Sequence, residues 1–226
     1  MIIVHYLENS RAHRMLWLLE EMALPYEIRH YKRASDMRAP ESLKAVHPLG
    51  KSPVIEDNGR IIAESGAIIE YLLDTYGEAH GGEVLRPAPG TDERLRFTYW
   101  LHYAEGTAMP LLLMKLVFAK IPRQMPFFLK PVASMISKGV AGKLINPQLD
   151  ENLKFWNDEL KKGGWFAGSS FSAADIIMSF PVEAAMSRVE YDGDKSAIRA
   201  YLDRIRARPA YQAALERGGA YAYSKT

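Results

Sequence analysis

The chain has 226 residues, 48% of them apolar and 25% charged. This balance excludes collagen-like, low-complexity and largely disordered classes and leaves one large domain or two small ones. Lys and Arg number 29 against 27 Asp and Glu, a net charge of +2, too even for a protein that coats nucleic acid. Cysteine is absent, so disulfides, thiolate metal sites and cysteine nucleophiles are excluded, and any thiol used here must arrive on a ligand.

The N-terminus carries no basic n-region or small-residue cleavage site, so the cytoplasm is the expected location. Ile2 to Leu7 is a β-branched apolar run that predicts a strand, and the spacing of Ala12, Met15, Leu16, Leu19, Met22 and Ala23 predicts a helix. Leu24-Pro25 breaks that helix, and Tyr26 to Tyr31 alternates as a second strand. A polar stretch follows, with a short helix around Glu41 to Ala45. Pro53 to Asp57 and Arg60 to Ala63 flank Asn58-Gly59, a pair that supplies the positive φ angles of a type I′ turn and predicts a hairpin. A helix is expected from Gly66 to Tyr76.

Gly81-Gly82 and Pro87-Ala88-Pro89-Gly90 bracket a linker, so a boundary is expected there, with domains at 1–82 and 91–226. Beyond it the strand pattern disappears. Helical patterns run over Glu93 to Ala119, a Pro-interrupted stretch to Asn146, Pro147 to Lys162, Ser172 to Arg188, and Ser196 to Arg206. The longest apolar run, Ala108 to Met114, ends at Lys115, far short of a membrane span.

Several motifs fail on inspection. Gly50-Lys51-Ser52 lacks the upstream glycine of a phosphate loop, and Gly168-Ser169-Ser170-Phe171-Ser172 lacks the last glycine of a nucleophile elbow. The six histidines form no metal-ligand pair, so no metal is expected. Ser172-Ala173-Ala174-Asp175 reads as a capping box, with Phe171 stapling onto Ile176, so Asp175 is expected to be structural rather than a catalytic acid.

Three segments together carry a family resemblance. They are Glu8 to Glu21 (Glu8-Asn9-Ser10-Arg11-Ala12-His13-Arg14 and onward), Pro48 to Asp57 with its Gly50-Lys51-Ser52-Pro53 centre, and Glu64-Ser65-Gly66-Ala67-Ile68 before Tyr71-Leu72. With the late Ser172 to Asp175 box, their order and spacing resemble a glutathione transferase, most closely the Gtt-like group of fungi and bacteria. The resemblance implies an N-terminal thioredoxin-like domain, a C-terminal helical-bundle domain, glutathione as co-substrate, and a homodimer.

It also implies roles. Pro53 would follow a cis bond that presents the backbone of Ser52 to the cysteinyl part of glutathione. Glu64 would take the ammonium of the γ-glutamyl group, Ser65 its carboxylate at a helix N-terminus, and Lys51 the glycine carboxylate. An ordinary helix cap is the other reading of Glu64-Ser65. A free thiol is only about 3% ionised at pH 7, and lowering its pKa by ~2 units takes ~2.7 kcal/mol, which one hydroxyl donor and a helix N-terminus can supply. Ser10 is the expected donor. The Asn9 amide is the alternative, and Tyr6 fits less well.

Trp100, Tyr103, Thr107 and Met114 recur at helical spacing and, with Met109 and Leu113, are expected to line an apolar acceptor pocket; helix core is the competing reading for each. Between Glu105 and Asp150 there is no acidic residue but six basic ones, Lys115, Lys120, Arg123, Lys130, Lys138 and Lys143, interleaved with residues such as Phe127, Phe128, Met135 and Ile136. Such a stretch reads first as a longer helical insertion packed on its own domain with a solvated basic edge; as a functional surface it fits an anionic membrane or a basic rim on the cleft. Of these two functional surfaces the rim is expected, with the Phe and Met residues closing a substrate pocket. The function expected is attack of the glutathione thiolate on small electrophilic or peroxidic substrates, with a non-catalytic ligand carrier or protein-interaction module as the alternative.

Overall fold

The β-branched first strand, β1 (Ile2–Leu7), is buried along nearly its whole length and becomes an inner strand of a four-stranded sheet ordered β2-β1-β3-β4. The computed structural model describes residues 1–219 and 221–223. Strand β2 (Tyr26–Tyr31) lies parallel to β1, with Ile2 opposite Tyr26 and Leu7 opposite Tyr31. A parallel pair needs a crossover, and α1 (His13–Glu21) provides it. Strands β3 (Val54–Asp57) and β4 (Arg60–Ala63) form the antiparallel hairpin, and both Asn58 and Gly59 have positive φ, as the turn requires. A short α2 (Glu41–Lys44) precedes the hairpin and α3 (Ser65–Tyr76) follows it.

Helix α1 shows why the first half does not stand alone. Met15, Leu16, Trp17, Leu18 and Leu19 are all fully buried, so no face is left for water. A helix buried all round needs partners on both sides. Here α3 shares the sheet layer, while α9 (Ala173–Arg188) and α11 (Pro209–Gly218) close over it from the second half.

The second half is helical throughout the described residues: α4 (Gly82–Leu85), α5 (Asp92–Tyr103), α6 (Met109–Gln124), α7 (Lys130–Val140), α8 (Asn146–Gly163), α9, α10 (Ser196–Arg206) and α11. Its centre is α9, buried at every position from Ala173 to Ala185. Three features depart from the sequence pattern. A helical turn, α4, occupies part of the expected linker. The expected helix from Glu93 to Ala119 is widened by a π-helical turn at Ala104–Ala108. Helix α11 was not expected; Pro209 opens it at the first helical position, where its missing amide hydrogen costs nothing. It is pinned to α1 by Arg208, whose guanidinium meets the Glu21 carboxylate at 2.5 and 2.8 Å. Among the described residues no helix is long and apolar enough to cross a membrane.

The capping box at α9 is present, and its carboxylate does more than cap. Asp175 accepts from the amide of Ser172 at 2.9 Å and from the amide of Phe166 at 2.8 Å, tying the loop before α9 to the helix start. Full burial pushes its pKa up to about 7, against those hydrogen bonds. Glu183, also on α9, is likewise pushed to about 7 by burial, although Tyr211 and Tyr221 donate to it. His13 is buried between the rings of Tyr211 and Tyr221, where burial lowers its pKa to about 3 and keeps it neutral.

The raised carboxyl pKa values have a sign that can be tested. Each acid holds its proton more tightly folded than unfolded, so its contribution is fully present below its unfolded value near 4 and lost as pH rises through 7. Stability is therefore expected to fall between about pH 4 and 7, by up to roughly 1.4 kcal/mol per pH unit per group, with net proton uptake on folding. Glu183→Gln, which keeps the acceptor for a tyrosine hydroxyl, should flatten that slope in denaturant titrations. An unaltered slope would refute the assignment.

Candidate active site

Two adjoining cavities lie along the C-terminal edge of β1 and the N-terminal end of α3. The larger, about 720 Å³, is lined by the β1–α1 loop (Leu7, Asn9, Ser10), by Gly50, Lys51 and Ser52, and on the helical side by Met109, Leu113, Leu116 and Phe180. The smaller, about 130 Å³, is lined by Arg11, Lys51, Ser52, Pro53, Glu64 and Ser65. Arg11, Lys51 and Ser52 line both.

Ser10 lies where the two halves meet. Its side chain is buried, and its hydroxyl oxygen is 3.1 Å from that of Ser52 and accepts from the amide of Ala12 at 3.2 Å. The Ser52 hydroxyl donates to the carbonyl of His5 at 3.0 Å and accepts from the amide of Leu7 at 3.2 Å. A hydroxyl has one proton. Because that of Ser52 is committed to His5, Ser10 is the donor in the pair. The Ser10 proton can thus turn to a stronger acceptor placed in the cavity. Asn9, with φ of 49°, is exposed and lines only the larger cavity. Tyr6 is buried, and burial pushes its pKa to about 12.

The bond from Ser52 to Pro53 is cis, and Pro53 is buried at the floor of the smaller cavity. Glu64 occupies a left-handed backbone conformation, φ 72°, immediately before α3. A non-glycine residue there costs of order 1 to 3 kcal/mol, and such strain concentrates at binding sites. It leaves the Glu64 side chain exposed and Ser65 as the first residue of the helix, where unpaired amides attract an anion.

The sequence reading missed the group beneath Ser65. Arg14, fully buried on α1, donates to the Ser65 hydroxyl at 2.8 Å, to the carbonyl of Ile177 at 2.6 Å and to the Glu105 carboxylate at 2.5 Å. Arg11 also pairs with Glu105. Burial opposes ionisation of Glu105, but the two guanidinium groups outweigh it and hold the carboxyl below its ordinary range. Since Arg14 occupies a lone pair of Ser65, the Ser65 proton remains free to donate into the smaller cavity. Glu105 sits within the π-helical turn, a feature with no pattern in the sequence and one frequent at functional sites.

The expected acceptor-pocket residues separate. Met109 and Leu113 line the larger cavity, but Trp100, Tyr103, Thr107 and Met114 do not. Trp100 stacks on Phe155 in the helical core, and Tyr103 points the same way, with its hydroxyl bonded to Asn152 and Trp156. Thr107 and Met114 face outward. A π turn adds a residue to the helical register, so the faces read from a 3.6-residue period before Ala104 do not continue after it.

The expected pocket closure by the acid-free stretch is also corrected. Of its six cations only Lys120 lines the cavity. Phe127 is 82% exposed and Met135 68%, and Phe128 and Ile136 are exposed as well. Helix α7 turns its small residues Ala133, Ser134 and Ser137 inward, which leaves Val132, Met135 and Ile136 outside.

A mixed four-stranded sheet with a cis-proline before β3, coupled to a helical bundle across a cleft, is a thioredoxin-like arrangement joined to an all-helical half. The family profile "Glutathione S-transferase, N-terminal domain" matches residues 1–74, and "Glutathione S-transferase, C-terminal domain" matches residues 109–209. The chain is 34% identical over 215 residues to Glutathione S-transferase 3 of Schizosaccharomyces pombe, covering 93% of this chain and 86% of that protein. It is also 34% identical over 228 residues to Glutathione S-transferase 1 of Saccharomyces cerevisiae, covering 97% and 96%. The solved glutathione S-transferase of Actinobacillus pleuropneumoniae superposes with a TM-score of 0.78 at 31% identity, over 100% of this chain and 97% of that one. A theta class enzyme of Xanthomonas axonopodis pv. citri, solved with glutathione bound, shares the fold with a TM-score of 0.70 at 22% identity, over 94% and 96%. The chain belongs to the glutathione S-transferase family.

Proposed function

We propose that this protein catalyses attack of the glutathione thiolate on small electrophilic or peroxidic acceptors, a detoxifying chemistry carried out in the cytoplasm. The observation that carries the reading is the Ser10 hydroxyl, whose proton goes to Ser52 and can turn to a stronger acceptor in the large, partly apolar cavity that adjoins the small polar one. In this reading the γ-glutamyl group occupies the smaller cavity, its carboxylate on Ser65 and its ammonium on Glu64. The cysteinyl backbone pairs with Ser52 beside Pro53, and the glycine carboxylate meets Lys51. The sulfur then falls against Ser10, with Asn9 as the alternative donor. Met109, Leu113, Leu116 and Phe180 hold the acceptor. Residues 1–82 supply the glutathione side and 91–226 the acceptor side.

Ser65→Ala is expected to weaken glutathione binding by about 1 to 3 kcal/mol, the cost of removing a donor to a charged group. Calorimetric titration with glutathione measures it, and full-strength binding would move the γ-glutamyl group elsewhere. The reading also includes a homodimer, supported by exposed Leu95 and Tyr99 on α5 and Ile61 on β4, apolar side chains that a second copy would cover. Sedimentation at micromolar concentration should give twice the chain mass of 25.5 kDa; a monomer would refute it.

A further inference from the structure

The larger cavity is lined by seven cationic side chains and no carboxylate. Three of the seven are already answered: Arg11 by Glu105, Arg38 by Asp36 and Lys44 by Glu41. Arg33 spends its donors on the carbonyls of Glu8, Asn9 and Met37, where it holds the loop after β2 against the loop before α1. Lys51 lies beside the glutathione position. Two cations remain, Lys120 on α6 and Arg188 at the end of α9. Both belong to the helical wall and neither lines the smaller cavity.

Arg188 is the informative one. It is half-buried, yet among the described residues it has no ion-pair partner. Its contacts are the carbonyl of Leu112 at 3.5 Å, the outer limit of a hydrogen bond, and the ring of Tyr223, 4.7 Å from its guanidinium carbon. Several guanidinium groups taken into packed surroundings elsewhere in this fold meet carboxylates: Arg14 has Glu105, Arg96 has Glu159 and Arg208 has Glu21; Arg204 and Arg206 lack such a partner among the described residues, but unlike Arg188 they line neither cavity. Burial lowers the pKa of Arg188. A guanidinium has five donors in a planar fork suited to a carboxylate, and among the described residues only the long bond to Leu112 uses one of those on Arg188. Around it the wall is apolar, with Met109, Leu113, Leu116 and Phe180.

Resting on the glutathione-transferase reading above, we propose that Arg188, with Lys120 as the second cation of the helical wall, forms a carboxylate subsite for the acceptor. The preferred acceptors are then amphipathic organic anions, an apolar electrophilic body that carries a carboxylate. The apolar wall takes the body and Arg188 takes the charge, while Ser10 and the glutathione positions lie on the opposite side of the cleft. Arg188 is a specificity residue in this assignment and takes no part in thiol activation.

The test uses a matched pair of aryl chlorides, 4-chloro-3,5-dinitrobenzoate and its neutral carboxamide, each assayed with glutathione. The wild-type protein should favour the carboxylate in kcat/KM, and Arg188→Gln should lower the carboxylate-to-carboxamide ratio by about tenfold or more. Arg188→Lys, which keeps the charge, should retain most of the ratio. A second arm needs no turnover: the wild-type protein should bind S-(5-carboxypentyl)glutathione more tightly than S-hexylglutathione, and Arg188→Gln should abolish the difference. Equal losses for both members of each pair, or identical behaviour of the Gln and Lys variants, would reduce Arg188 to a structural stack on Tyr223 and overturn the subsite. If the wild-type protein binds both conjugates without preference, the subsite alone fails. If it binds neither, the glutathione site fails and the subsite with it.

Discussion

Ser10→Ala is expected to raise the pKa of enzyme-bound glutathione by about 1 to 2 units and to lower kcat/KM at neutral pH by about tenfold to a hundredfold, while glutathione affinity stays within a few fold. The asymmetry follows from the geometry. The Ser10 hydroxyl has one proton to give and does not itself line the smaller cavity proposed to take the γ-glutamyl group. It therefore acts on the thiolate and little on the tripeptide. Ultraviolet absorbance of the bound thiolate against pH measures the shift directly. An unmoved pKa in Ser10→Ala together with a raised one in Asn9→Ala would transfer the role to Asn9, whose exposed side chain lines the same cavity.

Glu105→Ala is expected to be the most damaging single change near the site, costing about 3 kcal/mol of stability, because it strands Arg14 in the interior with its charge unanswered. Arg14 is fully buried and Glu105 is its carboxylate partner. The double variant Arg14→Met with Glu105→Leu should recover much of the loss, since a buried ion pair is commonly replaceable by apolar packing. It should not recover glutathione binding, because the Ser65 hydroxyl would have lost the guanidinium that orients its proton. Denaturant unfolding and glutathione titration on the same samples separate the two effects. Intact stability in Glu105→Ala would show that Arg14 is held by the Ile177 carbonyl and Ser65 alone.

That one wall of the cleft would gather these loop residues was legible because their geometry is local. Ser10, Lys51, Ser52, Pro53, Glu64 and Ser65 occupy loops and helix starts, where a single residue type sets the backbone geometry or the free donor. The helical wall was less legible, because it depends on which face of a long helix turns inward. Trp100 and Tyr103 are as apolar and as regularly spaced as Met109 and Leu113, yet the first pair went to the core and the second to the cavity. The π turn between them shifts the faces, and no residue in Ala104 to Ala108 announces it.

Strand, hairpin and helix identities followed from periods of 2 and 3.6 residues and from turn chemistry such as Asn58-Gly59, all of which act within a few residues of chain. Lack of cysteine settled as directly that any reacting thiol must come from outside. Long-range partners followed other rules. Arg14 meets Glu105 and Ser65 across 91 and 51 residues of sequence, and Arg188 faces a cavity lined from both halves of the chain. A side chain's own type states that it is charged, but its worth depends on what else the fold brings within hydrogen-bond reach and how much water it removes. Pairing and desolvation are properties of packed elements, so the buried guanidinium beneath Ser65 and the half-buried one on the helical wall of the larger cavity emerge once α1, α6 and α9 are folded against the sheet.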